Sequence, residues 1–310
     1  MEVIAITNPE AGAFVSSTKE IKEVSLKYCV NLLKNREPKE DFKRIIQRKV
    51  TLHKERMEEH FENDLDEISM SQFSNALKKV SNTHSEKYKF ILKGGKSLMN
   101  AIYTLFSMVW KREQIPKSWS NSELIQLYKG KGSESDLNNI RHIHLKEEIP
   151  KLFEKIVMLA AKDDLMKNMT EFQITTKPGH RATEHVFCVM SQMALSELNG
   201  EAIFITLFDM SKYIDRECLL DCMSEVYNCS VKGKLYKLLF RLNENIRIRV
   251  RTPVGLTEAQ DTGPNVGQGT ISGAVVSSVN LDQGMKEYFH DEEDNGKGDG
   301  KDKEVDEKVL

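Results

Sequence analysis

At 310 residues the chain is long enough to bury a sizeable core in one or two domains. Hydrophobic residues make up 39% of it and charged residues 30%, a composition typical of a charge-rich globular protein. No apolar run approaches the roughly 20 residues that span a bilayer, and the first residues lack a basic segment followed by an apolar one. We therefore expect neither a membrane partner nor a secretory signal.

The formal net charge of −2 is unevenly distributed. Residues 291–310 hold nine acidic and four basic side chains, so the remainder carries a small positive charge, compatible with a nucleic-acid partner. The cysteines are odd in number and scattered, which predicts reduced thiols in an intracellular protein of the nucleus or cytoplasm. The alternative is a zinc site formed by Cys218, Cys222 and Cys229. The spacing of these three cysteines matches no strong zinc-binding pattern, so buried thiols are the better interpretation.

In chain order, the residues up to about Phe61 are dense in Lys, Arg and Glu and predict exposed helix. Apolar residues at helical spacing predict an amphipathic helix over Lys96–Lys111. Two β-favouring runs, Leu124–Tyr128 and Ile140–Leu145, flank a turn rich in Gly, Ser and Asp, which predicts a hairpin. A helix over about Pro150–Met166 follows.

Beyond the hairpin, a helix is expected from an N-cap at Thr183 to the residue before Gly200. "IFITLFD", Ile203–Asp209, predicts a buried strand, and two helices follow over about 216–243. "IRIRVRTPVGLTEAQ" alternates strictly and turns at Pro253–Gly255, which predicts a second hairpin. "NVGQGTISG" predicts a glycine-rich turn running into a helix, and residues 290–310 predict a disordered tail.

Asp209 is the most informative single residue of the chain. An acid at the end of a buried strand is costly to desolvate unless a cation meets it, and Mg²⁺ favours carboxylates held on rigid strands. Three further features stand around it in a fixed order: a basic hairpin, the segment "FQITTKPGHR" and a Gly-Gln-Gly turn at Gly267–Gly269. Each of these four features alone is weak evidence for a function, because such residues are common, but their order and spacing along the chain are much more specific.

Over about Asp64–Met285 this order resembles the reverse transcriptase domain of non-LTR (LINE-type) retrotransposons. "IPKSW", "LIQLYKGKG" and "LNNIRHIHL" look like its fingers segment, and "FQITTKPGHR" is similar to its Gln-x-Gly-Phe-Arg-like segment. "LFDMSKYID" looks like palm motif A, and "NVGQGTISG" resembles motif B, Gly-Val-Pro-Gln-Gly.

The resemblance implies an α+β, right-hand polymerase fold with fingers and a partial palm. Residues 1–63 would be the family's charged inter-domain linker, 64–200 the fingers, 201–289 the partial palm and 290–310 the tail. The implied activity is RNA-directed DNA synthesis by two-metal nucleotidyl transfer, with an RNA template and a DNA primer as partners.

The resemblance also implies roles for individual residues. Asp209 would be the catalytic acid and, with the backbone carbonyl of Met210, a ligand of Mg²⁺ or Mn²⁺. The nucleotide-binding candidates are Lys129, Lys131, Arg141, Ile214, Gln268 and Gly269. The nucleic-acid-binding candidates are Arg181, Arg247, Arg249 and Arg251; for the last three, an ordinary solvent-facing strand edge is nearly as good an interpretation.

Several family features are missing. The expected second acid site, an aromatic-x-Asp-Asp hairpin, is absent, and "FHDEED" lacks apolar strands to fix its carboxylates, so the two-ion site is expected to be incomplete. Ile214 stands where the family has an aromatic residue, Gly267 where it has proline, and His142 where proline follows Arg141. The thumb is also lacking, so we expect an inactive fragment of a retroelement polymerase.

Two alternatives remain open. One is a non-catalytic nucleic-acid-binding relic or domesticated module, which would bind RNA in a salt-dependent way without incorporating nucleotides. The other is a helical interaction protein unrelated to nucleic acid. No protein partner is evident in the sequence, including one that would supply the missing acids.

Overall fold

The computed structural model describes residues 5–34, 40–61, 67–81 and 86–295, which form a mixed α+β fold, as predicted. The helices are α1 (Thr18–Leu33), α2 (Glu40–Glu58), α3 (Met70–Ser81), α4 (Glu86–Lys93), α5 (Gly95–Arg112), α6 (Glu148–Asn168), α7 (Ala182–Asn199), α8 (Tyr213–Arg216), α9 (Leu219–Asn228), α10 (Gly233–Glu244) and α11 (Ile271–Asn295). The strands are β1 (Ile6–Thr7), β2 (Phe14–Val15), β3 (Asn121–Tyr128), β4 (Ile140–Leu145), β5 (Ile246–Thr252), β6 (Gly255–Leu256) and β7 (Gln260–Gly263).

The main sheet has the strand order β4-β3-β5-β6, and β7 also pairs with β5. Both predicted hairpins are confirmed: β3 and β4 are antiparallel, and β5 turns back into β6. The contact between β3 and β5 is parallel, with Leu124 opposite Val250 on one side and His144 on the other. Because side chains alternate along a strand, these three residues share one face of the sheet.

Helix α1 covers that face. Ile21, Ser25, Cys29 and Leu33 recur every four residues and are buried, and the last two pack with the apolar residues of β3 and β5. The prediction of an exposed helical N-terminal region was therefore wrong for α1. Its many charged residues suggested an exposed helix, although one side of the helix is buried. Among the described residues, no helix is both long enough and apolar enough to cross a membrane.

The larger core is helical and joins α3–α6 with α9–α11. Helix α5 confirms its prediction, because Ile102, Phe106 and Val109 are buried at helical spacing. Phe106 packs edge-on against Phe153 of α6, with ring centroids 5.3 Å apart and planes inclined at 68°. Such aromatic pairs add to the free energy of area burial and fix the mutual orientation of the two helices.

A buried ionic network ties this core to the sheet. The carboxylate of Glu154, on α6, is fully buried and accepts hydrogen bonds from the Ser272 backbone N–H at 2.6 Å and its Oγ at 2.5 Å. Lys146 Nζ, just after β4, lies 3.5 Å from the same carboxylate and donates to the Leu242 carbonyl oxygen at 3.2 Å. The network therefore joins the end of β4, α6, α10 and the start of α11.

The predicted strand Ile203–Asp209 is not present, and that prediction was wrong. Residues 201–210 have no regular secondary structure, and Phe204, Leu207 and Phe208 are 93%, 90% and 89% exposed. A β-favouring run needs a neighbouring strand, but β3 already has β4 and β5 on its two sides. At the outer edge of β4, the backbone N–H of His144 donates to the carbonyl oxygen of Gln268, in the turn before α11, so it is not available to a further strand.

Two helix boundaries also differ from prediction. Helix α7 has its N-cap at Arg181 rather than Thr183, because the Glu184 carboxylate accepts a hydrogen bond from the Arg181 backbone N–H, as in a capping box. It ends at Gly200 as predicted, with that residue in the left-handed conformation. Helix α11 continues to Asn295, so disorder was a wrong prediction for 290–295; residues 296–310 lie outside the described part of the chain.

We expect Glu154→Gln to destabilise the protein by about 3–5 kcal/mol, because the variant leaves the buried Lys146 ammonium without its counter-ion. The free energy of unfolding from urea titration measures this change. The matched control is Glu23→Gln, which breaks the exposed pair with Lys19 (3.8 Å) and should change stability little. Equal losses in the two variants would contradict the structural role assigned to Glu154.

Candidate nucleic-acid interface

The face of the sheet opposite α1 is exposed and carries cations. In β5, Ile248 and Val250 are buried, while Arg247, Arg249 and Arg251 alternate with them and are exposed. Arg247 Nε lies 3.3 Å from an Asp261 carboxylate oxygen, and Arg251 pairs with Glu123. Arg249 makes no ion pair with any described residue, so its guanidinium is available to a ligand.

The register of β3 extends this surface to β4. Ile125 lies opposite Arg251 on one side, and two residues later Leu127 lies opposite Arg141 on the other. Residues two apart on a strand point to the same face, so Arg141 shares the face of the β5 arginines, and across β3 it lies about 12 Å from Arg251. Leu127 is exposed between the two strands. We call this surface, formed by Arg141, Arg247, Arg249, Arg251 and the β3 side chains between them, the arginine face.

The Gly-Gln-Gly turn is fitted against the end of β4. The Gln268 carbonyl oxygen accepts the backbone N–H of His144 at 2.8 Å. Gly269 has φ +94°, and a Cβ there would lie 2.6 Å from Ile143 Cγ2, so a side chain is excluded both by conformation and by space. The structure thus brings the half-buried Gln268 and the exposed Gly269 beside the strand that carries Arg141.

The two hairpin lysines differ in their surroundings. Lys129 is held inside the hairpin, with its backbone N–H on the Asn139 carbonyl oxygen at 2.9 Å and its Nζ on the Asn138 carbonyl oxygen at 3.1 Å. Lys131 is exposed at the turn and makes no ion pair among the described residues. Only Lys131 is therefore free to approach a phosphate without first breaking a contact.

Asp209 and Met210 lie on the exposed 201–210 segment, and Asp209 has no hydrogen bond or ion pair to a described residue. Within the described ranges, no group of three or more His, Cys, Asp and Glu residues is arranged to hold a metal. A two-ion site needs several oxygen ligands fixed together, so a single exposed carboxylate and one neighbouring carbonyl do not fit it.

The remaining candidates have local structural surroundings. Arg181 caps α7 beside a contact of 2.7 Å between His180 Nδ1 and a Glu184 carboxylate oxygen. Ile214 is partly buried and packs against the helical core. The structure does not bring either residue into the arginine face as defined by the strand register.

A second polar cluster on the α1 side of the sheet was not anticipated from the sequence. Lys212 Nζ donates to the Tyr28 hydroxyl and to Asn138 Oδ1, the latter at 2.8 Å. Lys212 has φ 56°, a left-handed conformation that costs a side-chain-bearing residue about 1–2 kcal/mol. These residues and Arg216 border a cavity of 470 Å³ between α1 and the chain around α8.

Asp215 is the buried acid of this cluster. Burial raises the pKa of its carboxyl to about 6, and the nearby cations Lys212, Lys129 and Arg216 oppose that rise only in part. One of its carboxyl oxygens is buried without a hydrogen-bond partner among the described residues. In the sequence, the only indication of a role for Lys212 and Asp215 is their position in "DMSKYID", which begins with Asp209.

Two buried histidines of β4 face the same side. Burial lowers the pKa of His142 to about 4 and that of His144 to about 3, so both are neutral at pH 7. His144 Nδ1 lies 3.0 Å from Ser122 Oγ, and the His142 ring lies 5.5 Å from that of Tyr28. His142 is thus a packing residue between the sheet and α1.

Comparison with known proteins does not identify a family for this chain. The chain matches no protein-family model, and no curated protein matches it. The resemblance to reverse transcriptases therefore rests on the order of the sequence motifs, and the function that follows from it is a proposal.

We expect Asp215→Asn to match the wild-type free energy of unfolding below about pH 4 and to exceed it by up to about 3 kcal/mol at pH 7. The folded carboxyl keeps its proton to about pH 6, whereas the unfolded one ionises near 3.8, so the wild type alone loses stability as the pH rises between these values. Urea titrations at several pH values measure the difference.

The control for this experiment is Asp209→Asn, whose exposed side chain has no hydrogen bond or ion pair to a described residue, so the substitution should change the free energy of unfolding little. A difference between Asp215→Asn and wild type that stays constant from pH 4 to pH 7 would show that Asp215 is not a buried, protonated acid.

Proposed function

We propose that the chain is a nucleic-acid-binding module related to the reverse transcriptase domain of non-LTR retrotransposons, with an RNA template or an RNA–DNA duplex as its ligand. The observation that carries the proposal is the arginine face: exposed guanidinium groups on two strands of a sheet whose opposite face is covered by α1. A rigid sheet fixes the spacing of these cations, which suits a ligand with regularly spaced phosphates.

The Gly-Gln-Gly turn supports the same assignment. In the resemblance, the fingers strand with Arg141 and the turn with Gln268 serve one nucleotide site, and the hydrogen bond from His144 to Gln268 holds them together. The reverse-transcriptase-like arrangement of fingers and partial palm belongs to this proposal. So does an intracellular location, which is supported by the five cysteines, all of them free thiols.

Catalysis is the second candidate, because motif A contains Asp209. We propose that the chain binds nucleic acid without polymerising nucleotides, since Asp209 lies on an exposed segment without the companion oxygen ligands that a two-ion site needs. A lone carboxylate in solvent holds a divalent ion only weakly, because water competes for every remaining ligand position.

We expect the triple variant Arg247→Gln/Arg249→Gln/Arg251→Gln to bind single-stranded RNA at least about tenfold more weakly than wild type. The slope of log K against log salt concentration should become shallower by at least about 0.7, the loss of the phosphate contact of the unpaired Arg249, and by about 2 where RNA also displaces Asp261 and Glu123 from Arg247 and Arg251. Fluorescence anisotropy with a labelled oligonucleotide across a salt series measures both quantities.

The matched control removes the same charge from another surface: Lys89→Gln/Lys93→Gln/Lys96→Gln, on α4 and the start of α5, where all three side chains are exposed. This variant should keep most of the affinity. Equal losses in the two triple variants would show that binding follows net charge alone, and RNA binding that is insensitive to salt would overturn the proposal.

We expect no primer extension on an RNA template with Mg²⁺ or Mn²⁺, either by the wild type or by Asp209→Ala. Incorporation by the folded wild type that disappears in Asp209→Ala would establish a polymerase and contradict the non-catalytic assignment. Circular dichroism on both proteins controls for folding.

A further inference from the structure

Residues 182–210, comprising α7 and the segment after it, form the most exposed apolar part of the described chain. We call them the apolar arm. Ser196 is the one buried residue of α7. Large apolar side chains of the arm that are exposed are Val186, Phe187, Val189, Met190, Met193, Leu195, Leu198, Ile203, Phe204, Ile205, Leu207, Phe208 and Met210. Monomers seldom leave so large a continuous apolar surface in water.

The helix of the arm is apolar on two adjacent sides. Val186, Met190 and Met193 follow one another at spacings of four and three residues and form one stripe. Phe187, Leu195 and Leu198 lie on a neighbouring stripe of the same helix. A helix that is apolar over so much of its circumference is typical of a buried position, so α7 needs cover from another surface.

The segment after α7 also lacks backbone partners. From Ala202 to Met210, no backbone N–H or carbonyl group forms a backbone hydrogen bond with a described residue. The sequence "IFITLF" within it is composed of β-favouring residues. Unpaired backbone and β-favouring side chains together are the properties of a strand that is added to another strand.

The charges of the arm exclude two kinds of partner. It contains no Lys or Arg, although the chain has 45 of them, whereas it holds Glu184, Glu197, Glu201 and Asp209. Nucleic acid and anionic membrane surfaces both require cations on the protein. The arm therefore suits an apolar protein surface.

The area of the arm is sufficient for a stable dimer. Phe187, Phe204 and Phe208 are 72% exposed or more, and together they present on the order of 500 Å². With the other side chains of the arm, the surface exceeds the roughly 800 Å² per partner of a standard interface.

We propose that the apolar arm is the interface of a two-fold symmetric homodimer, in which residues 203–209 pair antiparallel with the same residues of a second copy. The second copy supplies an equally unpaired strand of identical length and an equally uncovered helix, as an isologous interface requires. Pairing centred on Thr206 sets Phe204 opposite Phe208. It also separates the two Asp209 carboxylates by about 20 Å along the ribbon, so these like charges do not meet.

The test is sedimentation velocity on the full chain between about 0.1 and 100 µM. We expect the wild type to be dimeric at the upper end and Phe204→Asp/Leu207→Asp to be monomeric throughout. The matched control is Phe90→Asp, which changes an equally apolar side chain on α4, 72% exposed and outside the arm, and should leave the dimer intact. The substituted side chains are in solvent in the monomer, so circular dichroism should report unchanged folding.

The exposed Cys188 of α7 gives a second readout that does not depend on a substitution in the interface. Its reaction rate with a thiol reagent should fall at least about tenfold as the wild type dimerises, because burial at an interface excludes the reagent. In Phe204→Asp/Leu207→Asp it should remain fast at every concentration.

Three results would overturn the proposal. The first is a wild type that stays monomeric at the highest concentration, and the second is a dimer that survives Phe204→Asp/Leu207→Asp. The third is assembly into open-ended polymers, which would exclude a closed two-fold interface. None of these measurements involves RNA, so the homodimer and the nucleic-acid proposal stand or fall separately.

Discussion

The buried contact of Glu154 with Lys146 and Ser272 is the constraint on which the arrangement of the sheet and the helices depends. A carboxylate fully removed from water is costly unless a cation and hydrogen-bond donors surround it. Here one donor set comes from the start of α11 and the cation from the end of β4. Since the Gly-Gln-Gly turn lies between β7 and α11, fixing Ser272 and Lys146 to one carboxylate also fixes Gln268 against β4.

The two faces of the main sheet have opposite characters as a consequence of this arrangement. On one face α1 buries apolar residues of β3 and β5, and His142 and His144 of β4 are also buried there and kept neutral by burial. On the other face no described helix covers the arginines of β5, and they remain in solvent beside Arg141. Burial of apolar side chains on the covered face therefore stabilises the sheet, while the open face remains available for a charged ligand.

Much of the local structure could be predicted from the sequence, because it is determined by neighbouring residues. Alternation in "IRIRVRT" defines β5 and its outward arginines, helical spacing defines α5, and Gly200 ends α7. What failed depended on distant partners. The composition of Ile203–Asp209 favours a strand, but a strand also needs a free neighbour, and local composition does not reveal that β4 and β5 already occupy both sides of β3. The role of Glu154 was also beyond prediction, since a buried glutamate looks like any surface glutamate in the sequence, and its partners are 8 and 118 residues away.

The position of Asp209 therefore decides between a binding surface and a polymerase site, and it depends on whether residues 202–210 lie outside the sheet. Amide hydrogen exchange of the monomer, read by mass spectrometry, tests this most directly. Because these residues lack backbone partners in the chain, their amides should exchange at nearly the rate of an unstructured peptide, while those of β3 and β5 are protected. Protection of residues 202–210 equal to that of β5 would place the segment in a sheet, fix Asp209 at a strand end, and contradict a purely nucleic-acid-binding role for the chain.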